Sequence, residues 1–198
     1  MTPTVAIFLK APRVGSVKTR LAAAIGERQA LRLYRVMASR TLAAVREAGF
    51  DATIWFAPAD AGAEMRRWLG EEWDLRPQAS GDLGARLAAA EQAVSRGDGW
   101  LAIGGDCPRL DAELLQVAAT VVSRDEIVVG PSEDGGYYLI GGRTPLPPAL
   151  FVDMPWSTGG VLAETRVRLT RAGVAWRELP TLRDVDTVED ARTEGLLT

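Results

Sequence analysis

The fold class follows from the stretch Trp100–Pro108, which reads WLAIGGDCP. Its first part, Trp100–Ile103, is apolar and predicts a buried strand, which runs into two glycines and then Asp106. In open α/β sheets, ligands bind beyond the carboxyl ends of the strands, and glycines there let a bulky group approach the backbone. Asp106 therefore indicates a ligand site; the alternative is a carboxylate that only caps the turn before Pro108.

Short apolar runs alternate with longer helical patterns on both sides of this stretch. The further predicted strands are Val5–Leu9, Ala52–Ala57, Glu126–Val129, Tyr137–Ile140 and Val174–Leu179. The predicted helices are Glu27–Ala48, Ala61–Leu69, Asp82–Ser95, Ala112–Val122 and Gly160–Arg171. This order predicts an α/β fold with a mostly parallel central sheet and helices on both faces, as one domain over residues 1–198. The segment Pro131–Ser157 interrupts the alternation, and long insertions of this kind are typical of functional loops.

Composition excludes several classes of site. The 198 residues include no histidine and one cysteine, which excludes Ser-His-Asp systems, histidine bases, disulfides within the chain and Cys-rich zinc sites. A metal would have to bind oxygen ligands, as Mg²⁺, Mn²⁺ and Ca²⁺ do. A net charge of −3 gives no reason to expect a nucleic acid or a membrane as partner. The N-terminal segment lacks the basic region of a signal peptide, so we expect a cytoplasmic protein.

The first loop, Lys10–Arg20, carries four cations around Gly15. Lys18-Thr19 resembles the end of a phosphate-binding P-loop, but no glycine precedes Lys18 and the pattern fails. A basic loop at the carboxyl end of a strand can still hold a di- or triphosphate. The alternative is a solvated charged loop.

The segment Gly130–Gly141 brings two carboxylates, several glycines and two tyrosines together before a predicted strand. Tyrosines present an apolar face with a polar tip, which suits a sugar or a nucleoside. By spacing alone, a hairpin turn around Asp134-Gly135 explains the segment better.

Near the C-terminus, Arg183–Asp190 reads RDVDTVED. Asp186 or Thr187 could cap a helix, with Glu189 and Asp190 complementing its dipole. Alternatively, the Asp-x-Asp of an extended segment places both carboxylates on one side, as a divalent ion requires.

Five motifs follow one another along the chain. They are Lys10-Ala-Pro-x-x-Gly15-x-x-Lys18-Thr19-Arg20-Leu21, Gly81-Asp82-Leu83-Gly84-x-Arg86-Leu87, Gly105-Asp106-Cys107-Pro108, Gly130-Pro131 with Asp134-Gly135-Gly136-Tyr137-Tyr138, and Asp184-Val185-Asp186-Thr187. In this order the motifs resemble a small bacterial family of arsenosugar-biosynthesis-type glycosyltransferases, which have the nucleotide-diphospho-sugar transferase (GT-A) fold. The chain is similar, more distantly, to phospholactate guanylyltransferases and to the molybdenum-cofactor guanylyltransferase.

The resemblance implies a site for a nucleotide-activated small-molecule donor and a small acceptor. Asp106 and Asp186 would hold Mg²⁺ or Mn²⁺, which could bridge donor phosphates. The residues expected to bind nucleotide or phosphate are Lys10, Gly15, Lys18, Arg20, Asp82 and Arg86. Those expected at the sugar or acceptor are Asp134, Gly135, Gly136, Tyr137 and Tyr138. Asp106, Asp134 and Lys18 are the expected catalytic residues, Asp134 as acceptor contact or general base.

Three hypotheses follow for the function. The preferred one is a metal-dependent glycosyltransferase that uses a nucleotide-diphospho-sugar, because Glu133 and Asp134 would repel a phosphorylated acceptor and accept hydrogen bonds from sugar hydroxyls. The second is a nucleotidyltransferase that releases pyrophosphate from a nucleoside triphosphate, which the basic first loop favours. The third is a nucleotide-binding module without catalysis.

Overall fold

A single mixed sheet forms the centre of the molecule. In the part of the chain that the structure, a computed structural model, describes (residues 2–94 and 97–197), seven strands are hydrogen-bonded in the order β3-β2-β1-β4-β6-β5-β7. The strands are β1 (Thr4–Lys10), β2 (Ala52–Ala57), β3 (Asp74–Pro77), β4 (Gly99–Gly104), β5 (Ile127–Pro131), β6 (Tyr137–Arg143) and β7 (Trp176–Glu178). β6 is antiparallel to both of its neighbours, β4 and β5, and the other pairs are parallel.

Helices cover both faces of the sheet. They are α1 (Thr19–Ile25), α2 (Glu27–Ala48), α3 (Gly62–Leu69), α4 (Leu83–Gln92), α5 (Ala112–Ser123), α6 (Val161–Ala172) and α7 (Val188–Thr193). Side chains alternate along each strand, so Leu101 and Ile103 of β4 pack on the face that α2, α3 and α5 cover. Trp100 and Ala102 pack on the opposite face, against α4 and α6. Strands that are covered on both faces have continuous apolar sequences, and this is why β4 could be predicted from the sequence.

The predicted α/β fold is confirmed, and the bounds of several elements match closely. The helix Glu27–Ala48 and the strand Ala52–Ala57 have the predicted bounds. The helix expected from Asp82 begins at Leu83 and ends at Gln92, with Asp82 as its N-cap; Ser95, where it was expected to end, lies outside the described residues.

Two elements were missed by the sequence analysis. β3 is an edge strand with charged, exposed residues and a proline at its end, so it has no apolar pattern. α1 buries only Leu21, and its first two residues, Thr19 and Arg20, belong to what was predicted to be a basic loop. Neither segment carries the periodicity on which a sequence prediction depends.

The topology brings the candidate segments to one edge of the sheet. β1, β4 and β5 run in the same direction, so their carboxyl ends open on the same side. The β5–β6 hairpin turn therefore lies beside the segments that follow β1 and β4. A bridge between Ser132 and Leu182 brings the C-terminal segment to the same edge.

Candidate active site

Lys18 lies between two carboxylates. Its Nζ is 2.8 Å from Oδ2 of Asp106 and 2.8 Å from Oδ1 of Asp186. The Lys18 side chain is only 5% exposed, whereas those of Asp106 and Asp186 are 43% and 41% exposed. The first loop, the end of β4 and the C-terminal segment thus meet in one ionic cluster, which we call the junction (Lys18, Asp106 and Asp186).

Backbone geometry fixes the three members of the junction. Lys18 has a left-handed backbone, with φ of 49°, and immediately precedes α1. The backbone N–H of Val185 donates to the carbonyl of Asp106 at 3.1 Å, which ties the C-terminal segment to the end of β4. Thr187 caps α7 in a capping box with Asp190, and this fixes the chain just after Asp186. Thr187, one of the two predicted caps, therefore fills that role and leaves Asp186 free for the junction.

The junction carries one excess negative charge, because two carboxylates surround one ammonium. Burial alone would lower the pKa of Lys18, but Asp106 and Asp186 outweigh it and raise that pKa. Lys18 is therefore a fixed cation at neutral pH. Arg20 Nη1 lies 3.9 Å from Asp186 Oδ2 and its side chain is 73% exposed, so it adds positive charge at the rim.

A cavity of about 540 Å³ opens on one side of the junction, and its walls carry positive charge. We call it the basic lobe; its lining includes Phe8, Lys10, Lys18, Arg20, Tyr34, Gln78, Leu83, Arg86, Asp106, Ser157 and Asp186. Arg86 is held in place by bonds from its Nε to the Gly81 carbonyl and from its Nη1 to Gln78 Oε1, each 3.2 Å long. This lobe presents ordered cations to a ligand.

A second cavity, of about 580 Å³, opens on the other side. This acidic lobe is lined by residues that include Arg20, Leu83, Asp106, Asp134, Tyr137, Tyr138, Trp156, Ser157, Gly159, Asp184 and Asp186. It shares Arg20, Leu83, Asp106, Ser157 and Asp186 with the basic lobe, so the two form one cleft divided at the junction. Among the described lining residues of the acidic lobe, four are aspartates and Arg20 is the only cation.

Asp134 is oriented by the hairpin turn that joins β5 to β6. Its Oδ1 accepts hydrogen bonds from Ser132 Oγ at 2.5 Å and from the Gly136 backbone N–H at 2.8 Å. Gly135 has φ of 85°, and a Cβ there would lie 2.2 Å from the Gly159 carbonyl oxygen. The hairpin interpretation of this segment is therefore right, and the same turn presents Asp134 to the cleft.

Two aromatic side chains form a wall of the acidic lobe. Tyr137 and Trp156 pack edge to face, with ring centroids 6.4 Å apart. Within the described residues, the Tyr137 hydroxyl and Trp156 Nε1 are buried without a hydrogen-bond partner. The Tyr138 hydroxyl instead donates to the Pro180 carbonyl at 3.1 Å. Trp156 lies in the segment Pro131–Ser157, which was expected to be functional, but it was not named as a site residue, because a lone tryptophan in an irregular segment carries no recognisable motif.

Asp184, which the Asp-x-Asp interpretation paired with Asp186 but which was not assigned as a metal ligand, is a further residue of the candidate site. It lines the acidic lobe, where burial first, and then the charge of Asp134, raise the pKa of Asp184 to about 6. The Asp-x-Asp spacing with Asp186 was the available signal. Both carboxylates do line the same cavity, as the extended-segment interpretation required.

The remaining predicted residues lie around the cleft in different roles. Asp82 caps α4, accepting from the Ala85 backbone N–H at 2.9 Å, and it is not among the described residues that line either lobe. Gly15 also lies outside both linings and faces Glu27. Cys107 is buried, which raises the pKa of its thiol, as expected for a packed cysteine. Gly105 packs against Leu9, so the open approach to the backbone is at Gly104.

Comparison with known sequences identifies a bacterial family. The family described as "Uncharacterized protein conserved in bacteria (DUF2064)" matches residues 41–158, more than half of the chain. No curated protein matches the sequence.

Solved structures share the fold. The "putative nucleotide-diphospho-sugar transferase" from Desulfovibrio desulfuricans G20 superposes with a TM-score of 0.90 at 32% identity, over 98% of this chain and 87% of that one. A Mycobacterium tuberculosis H37Rv protein in complex with manganese gives 0.57 at 22% identity, over 97% of both chains. The inositol-1-phosphate CTP transferase from T. maritima gives 0.62 at 14% identity, over 99% and 95%. The chain therefore has the nucleotide-diphospho-sugar transferase fold.

No helix in the described part of the chain has both the length and the hydropathy of a membrane span.

Proposed function

This chain belongs to the DUF2064 family of bacterial proteins, and we propose that it is a divalent-cation-dependent glycosyltransferase that uses a nucleotide-diphospho-sugar. The observation that carries the proposal is the division of the cleft at the junction, with a basic lobe on one side and an acidic lobe on the other. A donor with a charged diphosphate and a neutral sugar matches that division of charge.

The basic lobe would hold the nucleotide. Lys10, Lys18, Arg20 and Arg86 line it and would bind phosphate oxygens through charge-assisted hydrogen bonds. Phe8 offers an aromatic surface to the base. Because the junction lies where the two lobes meet, the diphosphate would lie there and the sugar would extend into the acidic lobe.

The junction fits a divalent cation, because Asp106 and Asp186 already bind a cation, the Lys18 ammonium. Within residues 2–94 and 97–197, no three His, Cys, Asp or Glu side chains are grouped so that they could hold a metal by themselves. Two carboxylates completed by phosphate oxygens and water are a usual Mg²⁺ site. When bound there, Mg²⁺ or Mn²⁺ would neutralise the charge that develops on the leaving nucleoside diphosphate.

The acidic lobe would bind the sugar and the acceptor. Both hydrogen bonds to Asp134 from described residues go to Oδ1, which leaves Oδ2 to take the proton of an acceptor hydroxyl. That hydroxyl oxygen forms the new glycosidic bond as the bond from the sugar to the diphosphate breaks. Four aspartates in the lobe would repel a phosphorylated acceptor and accept hydrogen bonds from hydroxyls, which supports glycosyl transfer.

Nucleotidyl transfer from a nucleoside triphosphate is the second candidate. The four cations of the basic lobe favour it, because they suffice for three phosphates as well as for two. The CTP transferase from T. maritima carries out this class of reaction on the same fold. In that case the acidic lobe would have to take an acceptor despite its aspartates.

Product analysis with Mn²⁺ distinguishes the candidates. A thermal-shift screen first selects the nucleotide or nucleotide sugar that stabilises the protein; a ligand at 100 times its dissociation constant adds about 2.7 kcal/mol, or roughly 5–10 °C for a chain of this length. We expect the selected nucleotide sugar to release nucleoside diphosphate, and Asp134→Asn to slow that release. Pyrophosphate released from a triphosphate, with every nucleotide sugar inert, would establish nucleotidyl transfer. Stabilisation without turnover of either donor would establish a binding module.

A further inference from the structure

The structure assigns Lys18 a second role: we infer that its ammonium is an internal cation that occupies the metal position and is displaced from it when a divalent ion binds. This inference rests on the proposed function, because it takes Asp106 and Asp186 as the metal ligands. It goes beyond that function by making Lys18 a competitor of the metal as well as a ligand of the donor.

The geometry of the junction supports direct competition. Nζ lies 2.8 Å from one oxygen of each carboxylate, so it occupies the position between them that a bridging cation would take. The Lys18 side chain is nearly buried, at 5% exposure, so protein atoms enclose the ammonium where it contacts the two carboxylates. An ammonium and a divalent ion at this spacing would also repel each other. Both cannot contact the same pair of oxygens.

Charge balance at the junction favours replacement of the Lys18 ammonium by a divalent ion. With Lys18 in place, two carboxylates and one ammonium carry a net charge of −1, whereas with a divalent ion in its place the two carboxylates are neutralised. The released ammonium then faces the basic lobe, which Lys18 also lines. Metal binding would thus free a cation for the donor phosphates. By reciprocity, a bound diphosphate would strengthen metal binding by drawing Lys18 away from the carboxylates.

The presence of a lysine at position 18 agrees with the role of a cation that the metal displaces. Of 23 basic residues in the chain, 21 are arginine and two are lysine, at positions 10 and 18. An ammonium on a flexible four-carbon stem is compact enough to stand where a metal ion would and can swing to a new partner, whereas a planar guanidinium cannot do so as readily. Arginine predominates among the basic residues of the chain, whereas the basic residue of the junction is a lysine.

Titration with Mn²⁺ alone tests the inference, using the electron paramagnetic resonance signal of free Mn²⁺. We expect Lys18→Met to bind Mn²⁺ at least tenfold more tightly than the wild type, because the competing ammonium is gone. Arg32→Met is the matched control: it also removes one positive charge, but from an exposed side chain on α2 that is not among the described residues lining either lobe. Its affinity should change less than threefold. Equal or weaker Mn²⁺ binding by Lys18→Met would overturn the inference.

A second variant, Lys18→Gln, and a measurement on the wild type keep the inference testable if Lys18→Met misfolds. Lys18→Gln keeps most of the side-chain length without the charge, and it should also bind Mn²⁺ more tightly. In the wild type, acetylation read by mass spectrometry compares Lys18 with exposed Lys10 in the same molecule. Lys18 should react at least tenfold more slowly than Lys10 without metal, and its relative rate should rise several-fold at saturating Mn²⁺. An unchanged ratio would overturn the displacement.

Asp106→Asn separates this inference from the proposed function. Mn²⁺ binding that is present in the wild type and lost in Asp106→Asn supports the metal site, whatever Lys18→Met shows. If that binding exists and Lys18→Met does not strengthen it, only the displacement is wrong. If no Mn²⁺ binds at a site that Asp106→Asn removes, both the displacement and the metal dependence of the proposed function are wrong.

Discussion

Asp106→Asn is the substitution for which the geometry of the junction gives the most specific predictions. The amide keeps the size of the side chain and one oxygen, but it removes one of the two negative charges that face Lys18. A hydrogen bond to a charged group contributes about 1.5–3 kcal/mol, and a neutral one about 0.5–1.5 kcal/mol. The half-exposed carboxylate is partly screened, so we expect unfolding free energy to fall by about 1–2 kcal/mol. That corresponds to roughly 2–8 °C in Tm for a chain of this length.

The effect on ligands should be much larger than the effect on folding. Asp106→Asn leaves only one anionic ligand in the junction, so nucleotide binding should lose its dependence on a divalent ion. We would measure the melting temperature with and without Mn²⁺, and then titrate the nucleotide by calorimetry in both conditions. The fold should be retained, as judged by circular dichroism.

Asp111→Asn is the matched control for this substitution. Asp111 caps α5 through a 2.9 Å bond from the Leu114 backbone N–H, and asparagine caps helices about as well as aspartate. This variant should keep the metal dependence of the wild type. If Asp106→Asn still binds nucleotide with an undiminished response to Mn²⁺, the assignment of the metal site to Asp106 is refuted.

Two further substitutions test the basic lobe and the packing beside the acidic lobe. Arg20→Ala should weaken nucleotide binding about tenfold, and the loss should be greater for a di- or triphosphate than for a monophosphate. Arg32→Ala, at an exposed position on α2, is the control and should not weaken nucleotide binding. Equal losses of affinity for all three nucleotides, measured by calorimetry, would point to a solvated loop. Gly84→Ala should lower stability in urea by about 1–3 kcal/mol, since a Cβ there would lie 1.9 Å from the Phe151 carbonyl oxygen. Gly104→Ala, whose Cβ would meet nothing within 4 Å, is the control, and equal costs would contradict the packing argument.

The fold could be predicted from the strands that are buried on both faces of the sheet, because such strands have continuous apolar sequences. β1, β2 and β4 have that pattern, and their order of alternation with helices was enough to predict a mostly parallel sheet. The position of β6 could not be read in the same way. Its apolar run has the same appearance whether it pairs parallel or antiparallel, and its place between β4 and β5 depends on contacts distant in sequence.

The site was partly predictable for a related reason. The carboxyl ends of parallel strands meet at one edge, so residues that follow different strands could be expected together without knowledge of their contacts. The insertion of Lys18 between Asp106 and Asp186 was not predictable, because it depends on a left-handed backbone at a lysine, which no local pattern signals. Trp156 likewise reaches the cleft through loop geometry, whereas the Asp-x-Asp spacing had already placed Asp184 on the same side as Asp186.

The separation of charge across the junction limits what chemistry the cleft can support. A polyanion entering the acidic lobe would meet Asp134 and Asp184, and Arg20 is the only cation among the described residues that line this lobe. The basic lobe offers several cations, and the only carboxylates among its described lining residues are Asp106 and Asp186, which Lys18 already binds. Under the proposed function, a donor that is charged at one end and neutral at the other would therefore bind in one orientation. That orientation would place the bond between phosphate and the transferred group next to the junction, where the divalent ion is proposed to bind, and would place the acceptor next to Asp134. The same asymmetry of charge would thus both select the donor and orient it for transfer.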